Sequence, residues 1–142
     1  MKRLVADTDV VSYIFKWHTF APRYVKILEA NEVVLPFVTP AEMRLGALTA
    51  HWGVRKRNLL EGYLSRFAIC YPDDELCARW AEVKHESNQK GQPMGSQDAW
   101  TVAAALYLDA PLVTNNARHY AFSTSPRLLR SIVHLGRPSR TS

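Results

Sequence analysis

Short apolar runs alternate with longer helix-like segments along this chain. Runs dominated by apolar side chains predict four strands, at residues 3–7, 33–38, 67–71 and 111–114. Apolar residues at helical spacing predict helices that contain residues 10–15, 54–67, 74–90 and 97–108. Because strands that alternate with helices of about a dozen residues form β-α-β units, the pattern predicts an α/β fold with a parallel sheet and helices on both faces.

The segment after the second predicted strand carries a helix-start signal. We expect Thr39 to cap this helix, with Pro40 as its first residue and Glu42 at the third position of a capping box. Pro36 lies inside the preceding strand and has no N–H to donate. It therefore predicts a bulge or an edge position for that strand.

The length of 142 residues suits one compact domain. No repeat and no low-complexity run divides the chain, so we expect a single domain over residues 1–142. A composition of 47% hydrophobic and 22% charged residues excludes a disordered or fibrous chain. The first apolar stretch is too short for a secretory signal, and no run approaches the ~20 residues of a membrane span, so a cytoplasmic protein without a membrane partner is expected.

The formal net charge of +5 is unevenly distributed along the chain. Five of the 18 basic residues follow Asp109 and no acid does, so the whole excess lies in the last 33 residues. A basic C-terminal tail, at about residues 123–142, favours an acidic partner such as nucleic acid or an acidic protein. A solvated, frayed terminus would explain the same charge.

Three acidic residues are predicted at one edge of the sheet. Asp7 ends the first strand, Glu42 lies in the first turn of the helix after the second, and Asp98 opens the helix before the fourth. Ligands of open parallel sheets bind beyond the carboxyl ends of the strands. Carboxylates clustered there repel one another unless a hard cation such as Mg²⁺ or Mn²⁺ binds them, and such an ion can activate water against a phosphodiester.

Each acid also has a purely structural explanation. Asp7 or Asp9 could cap the first helix, Glu42 could complete the capping box, and Asp98 could interact with its helix dipole. The structural explanation is weaker for Asp7, because a charge directly after an apolar strand costs free energy unless it is paired or used. The spacing by itself leaves both interpretations open.

Four blocks of sequence surround these acids and the end of the fourth strand. They are Leu-Val-Ala-Asp7-Thr8-Asp9-Val-Val-Ser, Thr-Pro-Ala-Glu42-Met-Arg-Leu-Gly46-Ala, Gly91-Gln-Pro93-Met-Gly-Ser-Gln-Asp98-Ala-Trp, and Leu-Val-Thr114-Asn115-Asn116-Ala-Arg118-His119-Tyr120. In order and spacing, over nearly the whole chain, they resemble the motifs of PIN-domain ribonucleases, especially the VapC-type toxins.

The resemblance implies a three-layer α/β/α fold with a central parallel sheet of four to five strands. It further implies a metal-dependent endoribonuclease that cleaves structured RNA such as tRNA or rRNA with Mg²⁺, or Mn²⁺, as cofactor. A cognate antitoxin would hold the enzyme inactive, and a homodimer and a toxin–antitoxin hetero-oligomer are expected. Residues 54–90 would build the second layer and supply the dimer and antitoxin contacts.

By position, the resemblance implies catalytic and metal-binding roles for Asp7, Asp98 and Glu42, with Glu42 acting directly or through a water. The residues expected to orient these ligands or to contact phosphate are Thr8, Thr114, Asn116 and His119.

The chain departs from the family pattern in two places. Asp9 stands where many relatives have asparagine. It would either add charge to the site or cap the helix, and we favour the cap. Asn116 and His119 stand where the fourth block of the family often carries an acid, which favours one bound ion over two. His119 could donate a proton or contact phosphate, and a histidine on a helix surface or loop would also fit.

Two other functions remain open at this point. The sequence Asp7-Thr8-Asp9-Val-Val fits the D-x-D-x-T/V opening of haloacid-dehalogenase-like phosphatases, although the lysine and late acidic pair of that family are missing. A non-catalytic PIN-like module that binds RNA or protein would keep the fold without the fourth acid. The basic residues 55–57, near Arg44, suit RNA phosphates, acidic antitoxin residues or plain solvation.

Overall fold

The computed structural model describes residues 2–19 and 21–115 and the backbone of residues 132–133. The strands in these residues are β1 (Arg3–Ala6), β2 (Glu32–Pro36), β3 (Ala68–Cys70), β4 (Leu112–Val113) and β5 (Ile132–Val133). The helices are α1 (Thr8–Phe15), α2 (Ala21–Glu29), α3 (Val38–Thr49), α4 (Val54–Leu64), α5 (Asp74–Gln89) and α6 (Ser96–Leu108). None of these helices is long and apolar enough to cross a lipid bilayer.

The five strands form one sheet in the order β3-β2-β1-β4-β5, and every neighbouring pair is parallel. The predicted parallel sheet is thereby confirmed. Each boundary of the four predicted strands lies within three residues of the observed boundary. The chain builds outward from β1 in both directions, so the carboxyl ends of β1 and β4 flank the topological switch point. Ala6 pairs with Val113, and the residues that follow these two strands therefore meet at one crevice.

Side chains of β1 alternate between the two faces of the sheet. Leu4 and Ala6 lie in a buried cluster with side chains from α1 to α4, whereas Val5 lies in another with side chains from α5 and α6. Because successive residues of a strand point to opposite faces, this apolar run is buried on both. The expected three-layer α/β/α architecture is confirmed.

The two helices predicted within residues 54–90 lie in different layers. Leu60 and Leu64 of α4 pack in the cluster of α1 to α3, whereas Leu76 and Val83 of α5 pack in the clusters on the opposite face. The expectation that residues 54–90 build one layer is therefore wrong. The chain changes face at β3, which separates the two helices, and the hydrophobic pattern does not specify on which face each helix packs.

The predicted helix cap at Thr39 is wrong. Helix α3 begins at Val38 after Phe37, whose backbone is already helical and whose N–H donates to the Cys70 carbonyl at 3.1 Å. Pro36 is the last residue of β2, an interior strand with continuous register to β3, so the predicted bulge or edge position is also wrong. A proline fits here because it ends the strand and Phe37 supplies the next donor.

Two elements were not predicted from the sequence. Helix α2 buries Ala21, Tyr24 and Leu28, of which Tyr24 and Leu28 lie in the cluster with α1, α3 and α4. Strand β5 lies inside the segment expected to be a basic tail and pairs with β4. The remainder of residues 123–142 lies outside the described residues, and the tail stays a prediction.

Candidate active site

Asp7 is the first residue after β1 and caps the N-terminus of α1. Its side chain is buried, with 5% of its surface exposed. Oδ1 accepts a hydrogen bond from the Val10 N–H at 3.1 Å, and Oδ2 accepts one from the Thr114 hydroxyl at 2.5 Å. Thr114 directly follows β4, so the two residues meet at the edge that the strand pattern predicts.

Burial raises the pKa of the Asp7 carboxyl from 3.8 to about 6. The hydrogen bonds from Thr114 and Val10 lower this pKa in part, and the negative charges of Asp9 and Asp98 raise it further. Near neutral pH the group is a buried anion beside other anions. A cation at this position would favour its charged form, as expected of a metal ligand.

Glu42 lies in α3 and is partly buried. Thr8, the first residue of α1, donates from its hydroxyl to Glu42 Oε1 at 3.0 Å, and the same hydroxyl oxygen lies 3.1 Å from Thr39 Oγ1. Burial raises the pKa of Glu42, the Thr8 bond lowers it, and the charges of Asp98 and Asp9 raise it. Glu42 therefore interacts across to α1 and does not complete a capping box.

Asp98 is the third residue of α6 and is partly buried. Its charge raises the pKa of both Asp7 and Glu42, so Asp98 interacts with both of the other acids. Glu42 is the fifth residue of α3, so its predicted place in the first turn is wrong. Asp9 is exposed in the first turn of α1, and its charge acts on the same two groups. Because Asp7 is the capping residue, the interpretation of Asp9 as a cap is wrong.

The donor set fits a hard divalent cation. Within residues 2–19 and 21–115, no three His, Cys, Asp or Glu side chains lie close enough together to hold one ion. Mg²⁺ commonly takes only one or two carboxylates and keeps several waters, so the buried Asp7 with a second acid would suffice. Asn116 and His119 lie outside the described residues, and their roles stay predictions.

The structure adds Tyr24 and Asn115 to the surroundings of the site. Tyr24 is fully buried and donates from its hydroxyl to Asn115 Oδ1 at 2.6 Å. Burial, with the charge of Asp7 as the next cause, raises the pKa of Tyr24 to about 12. Asn115 belongs to the fourth sequence block, but Tyr24 lies on the unpredicted helix α2, and no local motif marks it.

Two of the basic residues on or near α4, Arg44 and Lys56, form contacts within the chain. Arg44 forms a two-pronged ion pair with Glu61, with Nε to Oε1 at 2.8 Å and the second guanidinium nitrogen to Oε2 at 2.9 Å. Lys56 places its ammonium 3.9 Å from the centroid of the Trp52 ring. Arg44 is thus balanced by an acid, whereas the exposed Lys56 contacts an aromatic ring.

The raised pKa of Asp7 predicts a pH-dependent stability for the metal-free chain. The folded state holds this proton up to about pH 6 and the unfolded chain only to 3.8, so the free energy of unfolding falls as pH rises between these values. The shift of about two units corresponds to roughly 3 kcal/mol. Urea unfolding in EDTA from pH 4 to pH 7 should show this loss in the wild type but not in Asp7→Asn. If the free energy of unfolding changes with pH in the same way in both proteins, the raised pKa of Asp7 is contradicted.

The sequence matches the model of the PIN domain family over residues 4–124. It is 27% identical over 116 residues to ribonuclease VapC1 of Haemophilus influenzae strain R2866, an alignment that spans 80% of this chain and 87% of the relative. It is 23% identical over 120 residues to the tRNA(fMet)-specific endonuclease VapC of Shigella flexneri, with 84% and 91% of the two chains aligned.

Solved structures share the fold. VapBC2 from Rickettsia felis, bound to a DNA fragment from its promoter, superposes with a TM-score of 0.77 at 22% identity, over 94% of this chain and 98% of that one. DNA-bound VapBC from Salmonella typhimurium gives 0.76 at 20% identity with the same shares. Because the family match spans residues 4–124 of 142, the chain belongs to the PIN domain family.

Proposed function

We propose that this chain is a metal-dependent endoribonuclease, the toxin of a type II toxin–antitoxin system, acting on structured RNA such as tRNA or rRNA. The observation that carries the proposal is the buried anion Asp7 at the switch point of a PIN-family sheet, with Glu42 and Asp98 acting on the same site. Similarity to a ribonuclease and to a tRNA(fMet)-specific endonuclease supports RNA as the substrate.

The acids and hydroxyls have distinct roles in this proposal. Asp7 and Asp98 would hold the ion, with Glu42 acting directly or through a water. When bound, Mg²⁺ or Mn²⁺ supplies the positive charge that polarises the phosphodiester and acidifies a water. Thr114 fixes the orientation of Asp7, and Thr8 fixes that of Glu42. Glu42, with its raised pKa, is suited to take a proton from the attacking water.

Exposed apolar side chains support a protein partner. Leu45 and Leu48 of α3 and Val54 and Leu59 of α4 are each more than half exposed. Leu48 and Val54 line the same surface cavity, and contiguous exposed apolar side chains mark contact surfaces. The solved relatives that share the fold include VapBC toxin–antitoxin assemblies, which supports a cognate antitoxin and a hetero-oligomer, beside the expected homodimer.

Replacing Thr114 by valine should lower the rate of RNA cleavage about 10- to 100-fold, as is typical when a group that orients a metal ligand is lost. The variant removes the hydroxyl that donates to Asp7 and leaves the volume nearly unchanged. The matched control is Thr101→Val, whose buried hydroxyl donates to the Gln97 carbonyl within α6. Steady-state cleavage and thermal melting should be measured on both, and equal losses of activity would contradict the role of Thr114.

The proposal is tested by incubating the purified chain with tRNA and rRNA in Mg²⁺ or Mn²⁺. We expect cleavage that stops with EDTA and in Asp98→Asn. RNA binding without cleavage and without metal would favour the non-catalytic module. A phosphate trapped covalently on Asp7 would instead favour the phosphatase.

A further inference from the structure

A groove of about 330 Å³ extends from the acidic site between α1 and α3. Along α1, the groove is lined by residues one helical turn apart, Thr8, Ser12 and Lys16. Along α3, the lining begins at Glu42. Eight residues of helix rise roughly 12 Å, so Thr8 and Lys16 mark opposite ends of the groove. It therefore runs from Glu42 at one end to Lys16 at the other.

Lys56 forms the second cation of the distal end, and it is held in place. Its ammonium lies 3.9 Å from the centroid of the Trp52 ring, and Trp52 packs against Phe15 with ring centroids 5.7 Å apart. Phe15 and Trp52 pack against the core cluster under α1 to α4. The cation–π contact favours one position of the lysine over the many that a free side chain would sample.

The middle of the groove is lined by small residues, among them Gly46 and Ala50. A Cβ added at Gly46 would meet no other atom within 4 Å, so the space above this part of α3 is open. The volume falls within the ~300–1,000 Å³ of typical ligand clefts. A polymer strand could therefore lie along α3 without moving the backbone.

The charges of the groove match a nucleic acid strand better than an acidic peptide. If the scissile phosphate of a strand lies beside Asp7 and Glu42, flanking phosphates of the same strand would lie toward Lys16 and Lys56. An acidic peptide would gain the same lysines but would bring carboxylates toward Glu42 without a reacting phosphate for the metal. The geometry thus favours the substrate as the occupant.

We propose that this groove binds the RNA strand that flanks the scissile phosphate, with Lys16 and Lys56 contacting flanking phosphates and Trp52 positioning Lys56. The inference rests on the proposed ribonuclease activity and adds a substrate-binding subsite to it. Neither lysine touches the reacting atoms, so their loss should weaken substrate binding and leave the chemical step intact.

Steady-state cleavage of tRNA by the full chain tests the subsite. In Lys16→Gln and Lys56→Gln we expect KM to rise about fivefold each, the effect of one unit charge near a phosphate in water, with kcat nearly unchanged. The slope of log(kcat/KM) against log salt should become shallower by about 0.7 for each lysine. Lys56→Arg should retain the wild-type KM because it keeps both the charge and the contact with the ring. The control Lys26→Gln, an exposed lysine of α2, should change nothing.

A variant that fills the groove gives an independent readout. In Gly46→Leu the added Cβ meets no neighbouring atom and the helix propensity improves, so the variant should fold, extend its side chain into the groove and raise KM. Wild-type KM and salt slope in both lysine variants would overturn the subsite while leaving the proposed function standing. Variants that cleave normally but escape inhibition by the cognate antitoxin would assign the groove to that protein and overturn the RNA subsite. If the wild type cleaves no RNA, the proposed function and the subsite both fail.

Discussion

Replacing Asp7 by asparagine should lower RNA cleavage by at least about 10³-fold, the order expected when a site loses the several kcal/mol that a metal supplies to the transition state. Asparagine has one amide oxygen where aspartate has two charged oxygens. The variant therefore removes the buried anion on which metal binding is proposed to depend.

The same substitution should leave the fold intact. Asparagine caps helices as well as aspartate does, so the bond from the Val10 N–H can persist, and the Thr114 hydroxyl can accept from the new amide. Since burial opposes the charge of Asp7, the metal-free variant should unfold at a higher temperature than the metal-free wild type near neutral pH. Loss of activity together with gain of stability would separate a functional role from a structural one.

The chain offers a matched control in Asp73. This residue caps α5, its Oδ1 accepts from the Leu76 N–H at 2.8 Å, and its Oδ2 accepts from the Tyr107 hydroxyl at 2.6 Å. The hydrogen bonds thus repeat those of Asp7, but Asp73 is exposed and lies away from the three acids. Asp73→Asn should cleave RNA at the wild-type rate. Equal rates for the two variants would contradict the role of Asp7.

Adding Mg²⁺ at neutral pH should raise the melting temperature of the wild type. A ligand at about 100 times its Kd stabilises the folded state by about 2.7 kcal/mol, or roughly 10 °C for a domain of this size. The physical reason is that the ion offsets the repulsion that the charge of Asp98 exerts on Asp7 and on Glu42. Melting curves in EDTA, in Mg²⁺ and in KCl of equal ionic strength separate ion binding from screening.

The size of the Mg²⁺ effect should depend on Asp7 and not on Asp73. Asp7→Asn should melt at the same temperature with and without Mg²⁺, whereas Asp73→Asn should keep the wild-type response. A rise of equal size in all three proteins would show that the ion binds elsewhere and would remove the proposed metal site.

The sequence predicts which edge of the sheet carries the site. Strands that alternate with helices form a parallel sheet, and a parallel sheet places the carboxyl ends of its strands side by side. Asp7 and Thr114 are 107 residues apart, yet each directly follows an apolar run, and parallel pairing of β1 with β4 brings them into contact. This inference needed no side-chain detail. The four blocks added the expected roles, because they mark the same strand ends and helix starts.

The errors arise where local signals compete with tertiary contacts. Thr39 carries a strong capping signal, but the chain turns into α3 one residue before Val38, and the Thr39 side chain is buried beside Thr8. Helix α2 is nine residues long and fully buries only Ala21, Tyr24 and Leu28, a pattern too short to stand out from its polar neighbours. Strand β5 has only two residues, and its pairing with β4 is a long-range contact.

The alternative functions require different roles of Asp7 and Asp9, the two acids of the first sequence block. A haloacid-dehalogenase-like phosphatase would use Asp7 as nucleophile and Asp9 as general acid. Asp9, the general acid in that interpretation, is exposed. The family match over residues 4–124 agrees instead with a PIN domain. A non-catalytic PIN-like module keeps the same geometry, so only turnover distinguishes it.

The most direct test is to assay cleavage of tRNA by the purified wild-type chain after removal of metal with EDTA, with Mg²⁺ titrated back. We expect no cleavage in EDTA, recovery that saturates with Mg²⁺, and product ends without a 2′,3′-cyclic phosphate, because water and not the ribose hydroxyl attacks the phosphorus. Cleavage that persists in EDTA, or products that end in the cyclic phosphate, would contradict metal-dependent hydrolysis at Asp7, Glu42 and Asp98.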